Sequence, residues 1–240
     1  MINAQSGGLP RNPLPLWKRI LDICCLIAAA PALLFLMSAI ALAIRLSSKG
    51  PILFCQERVG LYGRIFVCFK FRTMKTAAGV QSHKDYLEKL ITSSTPMKKM
   101  DADGDARVER VGVLLRAAGL DELPQVFNIL RGEMSLVGPR PCIGYECDKF
   151  KPHHRERFNA VPGLTGLWQV SGKNNTTFQE MIDLDIKYGR ELSLSKDVEI
   201  IFRTFPVLLQ QTAEAMKRKN DRKRALQRNS RSAPPTLTPV

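Results

Sequence analysis

The sequence predicts an α+β fold, mainly helical with one β-hairpin, in which an N-terminal membrane helix precedes a single globular domain. Three observations carry this. Residues Ile23 to Ile44, "ICCLIAAAPALLFLMSAIALAI", form a run of 22 without a charge. Two β-rich runs, "PILFCQERVG" and "RIFVCFKFRTM", are joined by Gly60-Leu61-Tyr62-Gly63. Beyond them, apolar residues recur at helical rather than strand spacing.

As a straight helix the uncharged run would measure about 33 Å, enough to cross a hydrocarbon core of roughly 30 Å. Lys18 and Arg19 precede it, and Arg45 and Lys49 follow it. Basic flanks on both sides suit two ends that stay in the cytoplasm. Pro31 interrupts the run: it has no N–H and its ring clashes with the carbonyl four residues back. The residues alone leave two geometries open, a kinked span and a re-entrant helix entering and leaving on one face. A signal peptide cleaved after Ala28-Ala29-Ala30 fits poorly, because the apolar run continues beyond it and a proline follows directly.

After the hairpin, "KDYLEKLI" (84–91) places Tyr86, Leu87, Leu90 and Ile91 on one helical face. "ARVERVGVLLRAAG" does the same with Val108, Val111, Leu114 and Leu115, and stops near Gly119. Thr177-Phe178-Gln179-Glu180 is a capping box that opens another helix. "DVEIIFRTFPVLLQQ" reads equally as a core helix or one lying in a membrane interface. Residues 217–240 hold eight Lys and Arg against one Asp, half of the net +14, and few apolar groups, so disorder is expected there. A basic surplus suits an anionic partner such as nucleic acid, anionic lipid or a phosphorylated substrate. The six cysteines show no pairing logic and are expected as reduced cytosolic thiols. Cys142 and Cys147 with His153-His154 have poor zinc spacing and read better as partly exposed loop residues.

"GLDELPQVFNILRGEMSLVGPRP" (119–141) carries the chemistry. Asp121 could be an N-cap ahead of Leu123, Val126, Phe127 and Leu130, with Pro124 in the first turn. The adjacent Glu122 is harder to dismiss, since neighbouring carboxylates repel unless a cation offsets them. Lys70, Arg72, Arg116, Arg131 and Arg140 supply cations, and the guanidinium fork suits phosphate oxygens. A carboxylate pair holding Mg²⁺, with substrate phosphates completing its shell, belongs to the same picture. Pro139 and Pro141 stiffen the backbone around Arg140, and "VPGLTGLWQVSGK" has similar stiffness.

These stretches, together with "GPILFCQERVGLYGRIFVCFKFRTM" and "PGLTGLWQVSGK", resemble the bacterial sugar transferase family of monotopic phosphoglycosyl transferases, in order from about Lys18 to Thr204. The resemblance implies that Asp121 is the nucleophile. It would attack the sugar-bearing phosphorus of a UDP-sugar, release UMP and form a covalent phosphosugar intermediate. Polyprenyl (undecaprenyl) phosphate would then take the sugar phosphate and so begin a surface polysaccharide. Glu122 would help hold Mg²⁺ as cofactor, and Pro139-Arg140-Pro141 would contact the nucleotide. The resemblance also implies a re-entrant membrane helix (18–46) broken at Pro31, following a flexible tail (1–17). A catalytic domain (47–212) with interfacial helices would sit on the cytosolic face of the bacterial inner membrane among its phospholipids, and a basic disordered tail (213–240) would close the chain.

The chain departs from the family pattern in four places. Ala30-Pro31 stands for the usual Ser-Pro, Cys142 follows "PRP" where Glu is common, "DAR" (105–107) stands for "DPR", and "SGK" (171–173) for "SGR". None touches Asp121 or Glu122; they blur donor specificity and leave the reaction class intact. A hexose phosphate is the expected cargo, although the sequence names no sugar, and a homo-oligomer stays open. Two other classes compete. A nucleic-acid binder is suggested only by charge, and the aromatics form no stacking array. A non-catalytic adaptor would have no reason to keep the Asp-Glu pair.

Overall fold

The N-terminal helix α1 (Leu16–Ser47) lies against the domain at both of its ends. The computed structural model describes residues 14–74, 85–86, 88, 90–91, 95–97, 108–172 and 175–231, the last fourteen of them as backbone only. At the start of α1, Lys18 is buried and donates to Val137 O (2.8 Å), Tyr188 Oη (2.9 Å) and Asp197 Oδ2 (2.5 Å). Tyr188 Oη in turn donates to Asp197 Oδ1 at 2.6 Å; burial and the Asp197 carboxylate push its phenol well above the ordinary range, so the proton stays. Asp22 accepts from Ser135 Oγ and Leu136 N, both at 2.9 Å. Burying these charges is tolerable only because each finds a partner.

Leu26 packs with Phe66, Cys68, Val126, Ile129 and Met134, while Ile40 and Ile44 pack with Phe71 and Leu115. Between these anchors Ile27, Leu34 and Phe35 are exposed. The expected break at Pro31 is not an end of the helix, because one element runs through it. A proline removes a single i→i−4 bond, and the bonds on either side can persist.

The hairpin forms as expected, from β1 (Leu53–Val59) and β2 (Ile65–Phe71), paired antiparallel. A 3₁₀ turn at Leu61–Gly63 connects them, with Tyr62 at φ 55°. Helix α2 (Arg110–Ala118) ends at Gly119, whose φ of +70° explains the glycine. A 3₁₀ turn, Leu120–Gln125, leads into α3 (Val126–Arg131). Strand β3 (Ser135–Val137) pairs in parallel with β4 (Gly163–Thr165), a pairing the sequence did not suggest. The remaining helices are α4 (Gly144–Cys147), α5 (Leu167–Val170), α6 (Phe178–Arg190) and α7 (Leu194–Arg231), and a 3₁₀ stretch, Pro152–Asn159, lies between α4 and β4.

The capping box of α6 is present: Thr177 Oγ1 accepts from Glu180 N, and Glu180 Oε2 accepts from Thr177 N. The helix expected at 84–91 lies partly outside the described residues, and those described there are helical. One expectation needs correcting. Helix α7 continues to Arg231, through much of the stretch read as disordered from 213. Ala213, Glu214, Ala215, Met216, Ala225 and Leu226 are good helix formers, and the Ser/Pro-rich composition begins only after them. Within α7, Ile200 is buried while Phe202, Phe205 and Leu209 are exposed, so one helix has both a core face and an apolar outer face.

Candidate active site

Cross-strand register puts Phe54, Gln56 and Arg58 of β1 opposite Lys70, Cys68 and Phe66 of β2, all on one face of the hairpin. Arg58 and Cys68 are buried and Lys70 is half-buried. Asn128 fixes what this face meets. Fully buried in α3, its amide donates to Val67 O (2.7 Å) and Glu133 Oε2 (2.7 Å) and accepts from Phe69 N (3.1 Å). A side-chain amide thus satisfies part of the free edge of β2 and holds α3 against it. At the far end of α3, Arg19 donates to the carbonyls of Ile129 and Leu130, capping that terminus from α1.

The turn preceding α3 consequently rests on β2. Lys70 Nζ meets Glu122 Oε1 at 2.6 Å, with the Glu122 side chain 37% exposed. Asp121 is half-buried in the same turn. It is not the N-cap of an α-helix, the structural reading open in the sequence, because the chain is already in a 3₁₀ turn from Leu120.

The Pro139-Arg140-Pro141 segment is held by its carbonyls, as it must be where two prolines offer no N–H. Pro139 O accepts from Gly163 N (2.9 Å), Arg140 O from Arg157 Nη2 (2.9 Å), and Pro141 O from Arg58 Nη1 (3.1 Å). The next carbonyl, Cys142 O, accepts from Val59 N at 2.9 Å. Gly138 permits the approach: a Cβ there would lie 2.1 Å from Val161 O. Arg157 is itself paired with buried Asp185 at 2.5 Å. The Arg140 side chain, 35% exposed, lies 3.7 Å from buried Glu146 Oε1.

Arg58 and Lys70 share this face of the hairpin, the one holding Pro141 O and the other Glu122, so the Pro-Arg-Pro segment and the Asp-Glu turn flank buried Cys68, whose thiol burial raises overall. Burial, followed by the nearby Arg140 guanidinium, lowers Arg58 below the usual arginine range. Arg72 is placed differently. It is buried and donates to Lys49 O, Ser48 O and Ser48 Oγ, shaping the exit from α1. Arg116 is half-buried, 3.4 Å from Thr73 Oγ1. Arg131 is exposed, with its guanidinium 5.0 Å from the Phe69 ring centre. Lys70, Glu122 and Arg140 are thus brought together, with Arg72 facing elsewhere.

Sequence reasoning missed Arg58, Asn128 and the Arg157–Asp185 pair. Arg58 had a signal, sharing the alternating face of the hairpin with Gln56. Asn128 had another, as a lone polar residue in the apolar "VFNIL". Arg157 had none, since its partner is 28 residues away.

The zinc reading of Cys142, Cys147 and His153-His154 finds no support: no cluster of three His, Cys, Asp or Glu groups occurs among the described residues. Cys142 is also not a partly exposed loop residue, being 1% exposed. For Mg²⁺ the donor chemistry is suitable. Asp121 and Glu122 offer adjacent hard oxygens in a half-exposed turn, and one or two carboxylates suffice when phosphates and water complete the shell.

The family described as bacterial sugar transferase matches residues 14–211. The UDP-glucose:undecaprenyl-phosphate glucose-1-phosphate transferase of Caulobacter vibrioides is 42% identical over 220 residues, 87% of this chain and 76% of that protein. The UDP-galactose-lipid carrier transferase of Erwinia amylovora is 38% identical over 216 residues, 87% of this chain but 44% of its own length. The exopolysaccharide production protein ExoY of Sinorhizobium fredii is 36% identical over 210 residues, covering 84% of this chain and 86% of that one. The chain thus spans less than half of the Erwinia relative and most of the other two.

Proposed function

The chain belongs to the bacterial sugar transferase family, and from that premise we propose that it moves a sugar-1-phosphate from a UDP-sugar to undecaprenyl phosphate in the membrane. The observation that carries this reading is the Lys70–Glu122 ion pair, set beside a Pro-Arg-Pro segment whose three carbonyls are all held. Such a site gathers carboxylates for attack and cations for phosphate in fixed positions, which is what phosphoryl transfer requires.

Asp121 is the nucleophile in this reading. One of its carboxylate oxygens bonds to the phosphorus carrying the sugar as the bond to UMP breaks, and UMP departs with the electron pair. An oxygen of undecaprenyl phosphate then bonds to that phosphorus, and Asp121 leaves as carboxylate. Lys70 holds Glu122 in place and offsets its charge, while Arg140, on its clamped backbone, receives the nucleotide. Asp121 and Glu122 would hold Mg²⁺, which when bound neutralises charge on the pyrophosphate. Arg116 and Arg131 are left to face the anionic substrates from the rim, and Arg72 to hold the backbone after α1. Relatives named for glucose and galactose transfer favour a hexose as the cargo.

The topology of α1 supports the membrane part of the reading. It is long and apolar enough to enter a bilayer, and Lys18 near one end and Ile44 near the other are both buried against the same domain. Two ends held on one body suit a re-entrant helix bent at Pro31, with the domain on the cytosolic face of the inner membrane. The test is UMP release by detergent-purified protein given Mg²⁺, undecaprenyl phosphate and single UDP-sugars. Release with one sugar, abolished in Asp121→Asn, is expected; no release with any sugar from folded protein would overturn the reading.

A further inference from the structure

Cys142 Sγ and Cys147 Sγ lie 3.0 Å apart, closer than two sulfurs in simple van der Waals contact, with one thiol donating to the other. Cys142 is buried, whereas Cys147 is half-buried and so open to solvent on one side. Cys142 follows directly on the Pro-Arg-Pro segment, and Cys147 lies five residues further on. We propose that these two thiols form a reversible dithiol–disulfide site that controls recognition of the nucleotide donor through Arg140. The control rests on the reading of Arg140 as a donor contact; the thiol site does not.

The link to Arg140 is geometric. Closing the bond brings the sulfurs from 3.0 Å to about 2.05 Å, so one side must move. Cys142 is anchored, because its carbonyl accepts from Val59 and the three carbonyls before it are also held. Movement therefore falls on the short helix α4 and on Glu146, next to Cys147. The Glu146 carboxylate is buried, with Oε2 accepting from Ile143 N at 3.2 Å. Its Oε1 faces Arg140 at 3.7 Å and has no hydrogen-bond partner. A shift of α4 changes that distance and draws the Arg140 side chain toward Glu146 or releases it.

Disulfides in a reducing cytosol are characteristically transient and sensing rather than structural. With a hydroperoxide as oxidant, one thiol takes an oxygen to become a sulfenic acid as the peroxide is reduced. The second thiol displaces that oxygen as water, forming the S–S bond; a dithiol reductant reverses the change by exchange. Cys142 takes the first step, because the hydrogen bond that lowers its thiol holds the Cys147 thiol up, and half-buried Cys147 beside it then resolves the sulfenic acid. The Cys147 hydrogen bond, offset by burial and aided by Arg157, lowers the Cys142 thiol and favours its attack on the peroxide.

Trypsin isolates the pair, because Arg140 is followed by proline and resists cleavage. The peptide Gly132–Lys149 contains Cys142 and Cys147 and no other cysteine. On titrating the full-length protein with hydrogen peroxide, this peptide should lose two hydrogens and both alkylation sites, and dithiothreitol should restore them. In Cys147→Ser the loss of two hydrogens should not occur. Oxidation should also raise the KM for the UDP-sugar about threefold or more, with Cys147→Ser unaffected. If both thiols remain alkylatable when exposed Cys55 is fully oxidised, the site is overturned. A disulfide that leaves KM unchanged overturns the control through Arg140. Failure of the reduced protein to release UMP would count against the proposed activity alone, since the thiols are mapped without substrate.

Discussion

Lys70 shows how one side chain joins structure to chemistry. Its 2.6 Å contact with Glu122 is too exposed to contribute much to stability, as surface ion pairs contribute at most about 1 kcal/mol. In the proposed reaction its value lies in holding a carboxylate beside the phosphates. Lys70→Ala is therefore expected to cut kcat for UMP release on the order of 100-fold, with the melting temperature nearly unchanged; a steady-state assay beside a thermal melt checks this. Asp185 makes the opposite case, a buried group acting through the backbone of Arg140. Burial pushes its carboxyl up to about 6 although Arg157 lies beside it, against 3.8 ordinarily. Between those values the folded protein binds more protons than the unfolded chain, so stability from this group is present at low pH and falls as pH rises toward 6. Melts across pH 4 to 7 should show that slope in the wild type and a flatter curve in Asp185→Asn.

Among the elements, α1 is more than an anchor. Its first turns are bound into the domain by Lys18, Arg19 and Asp22, and Arg19 caps the helix that follows the Asp-Glu turn. The apolar helix and the geometry of the candidate site thereby share one element. Replacing Lys18 with Met strands Asp197 without its cation and should cost about 3–5 kcal/mol. Adding Asp197→Leu should recover most of it, because an apolar pair needs no compensation. Denaturation of the single and double variants in detergent decides this, and equal losses in both would refute it. The hairpin, α2 and α6 were legible from turn residues, apolar spacing and a capping box, all local signals. The β3–β4 pairing was not, since three-residue strands carry too little pattern and their partners lie 28 residues apart.

Across the molecule, charge and apolar surface are unevenly placed. Phe202, Phe205 and Leu209 are exposed on α7, and the same helix runs on into the basic stretch. A helix that presents aromatics and then cations suits an anionic bilayer, where each Lys or Arg near the surface contributes about 1 kcal/mol. Deleting residues 217–240 should weaken binding to liposomes containing anionic phospholipid, and more so at low salt, while leaving the domain's melting temperature unchanged. Equal liposome binding with and without the segment would remove this role.

The membrane segment, the hairpin and the clustering of Asp121, Glu122 and Arg140 in one short stretch were determined by the sequence alone, because each is written in neighbouring residues. Family membership was legible there as well, in motifs that recur in order. Only the tertiary structure decided which cations meet those carboxylates. Lys70 reaches Glu122 across 52 positions, Arg58 holds Pro141 across 83, and Arg72, equally plausible by composition, is turned toward Lys49 and Ser48. It likewise placed Cys142 against Cys147, a contact made by the turn of α4 rather than by their spacing. The reason is common to all of these. A charge or a thiol has no periodicity, so its partner is chosen by whichever surfaces the packing of apolar residues brings together.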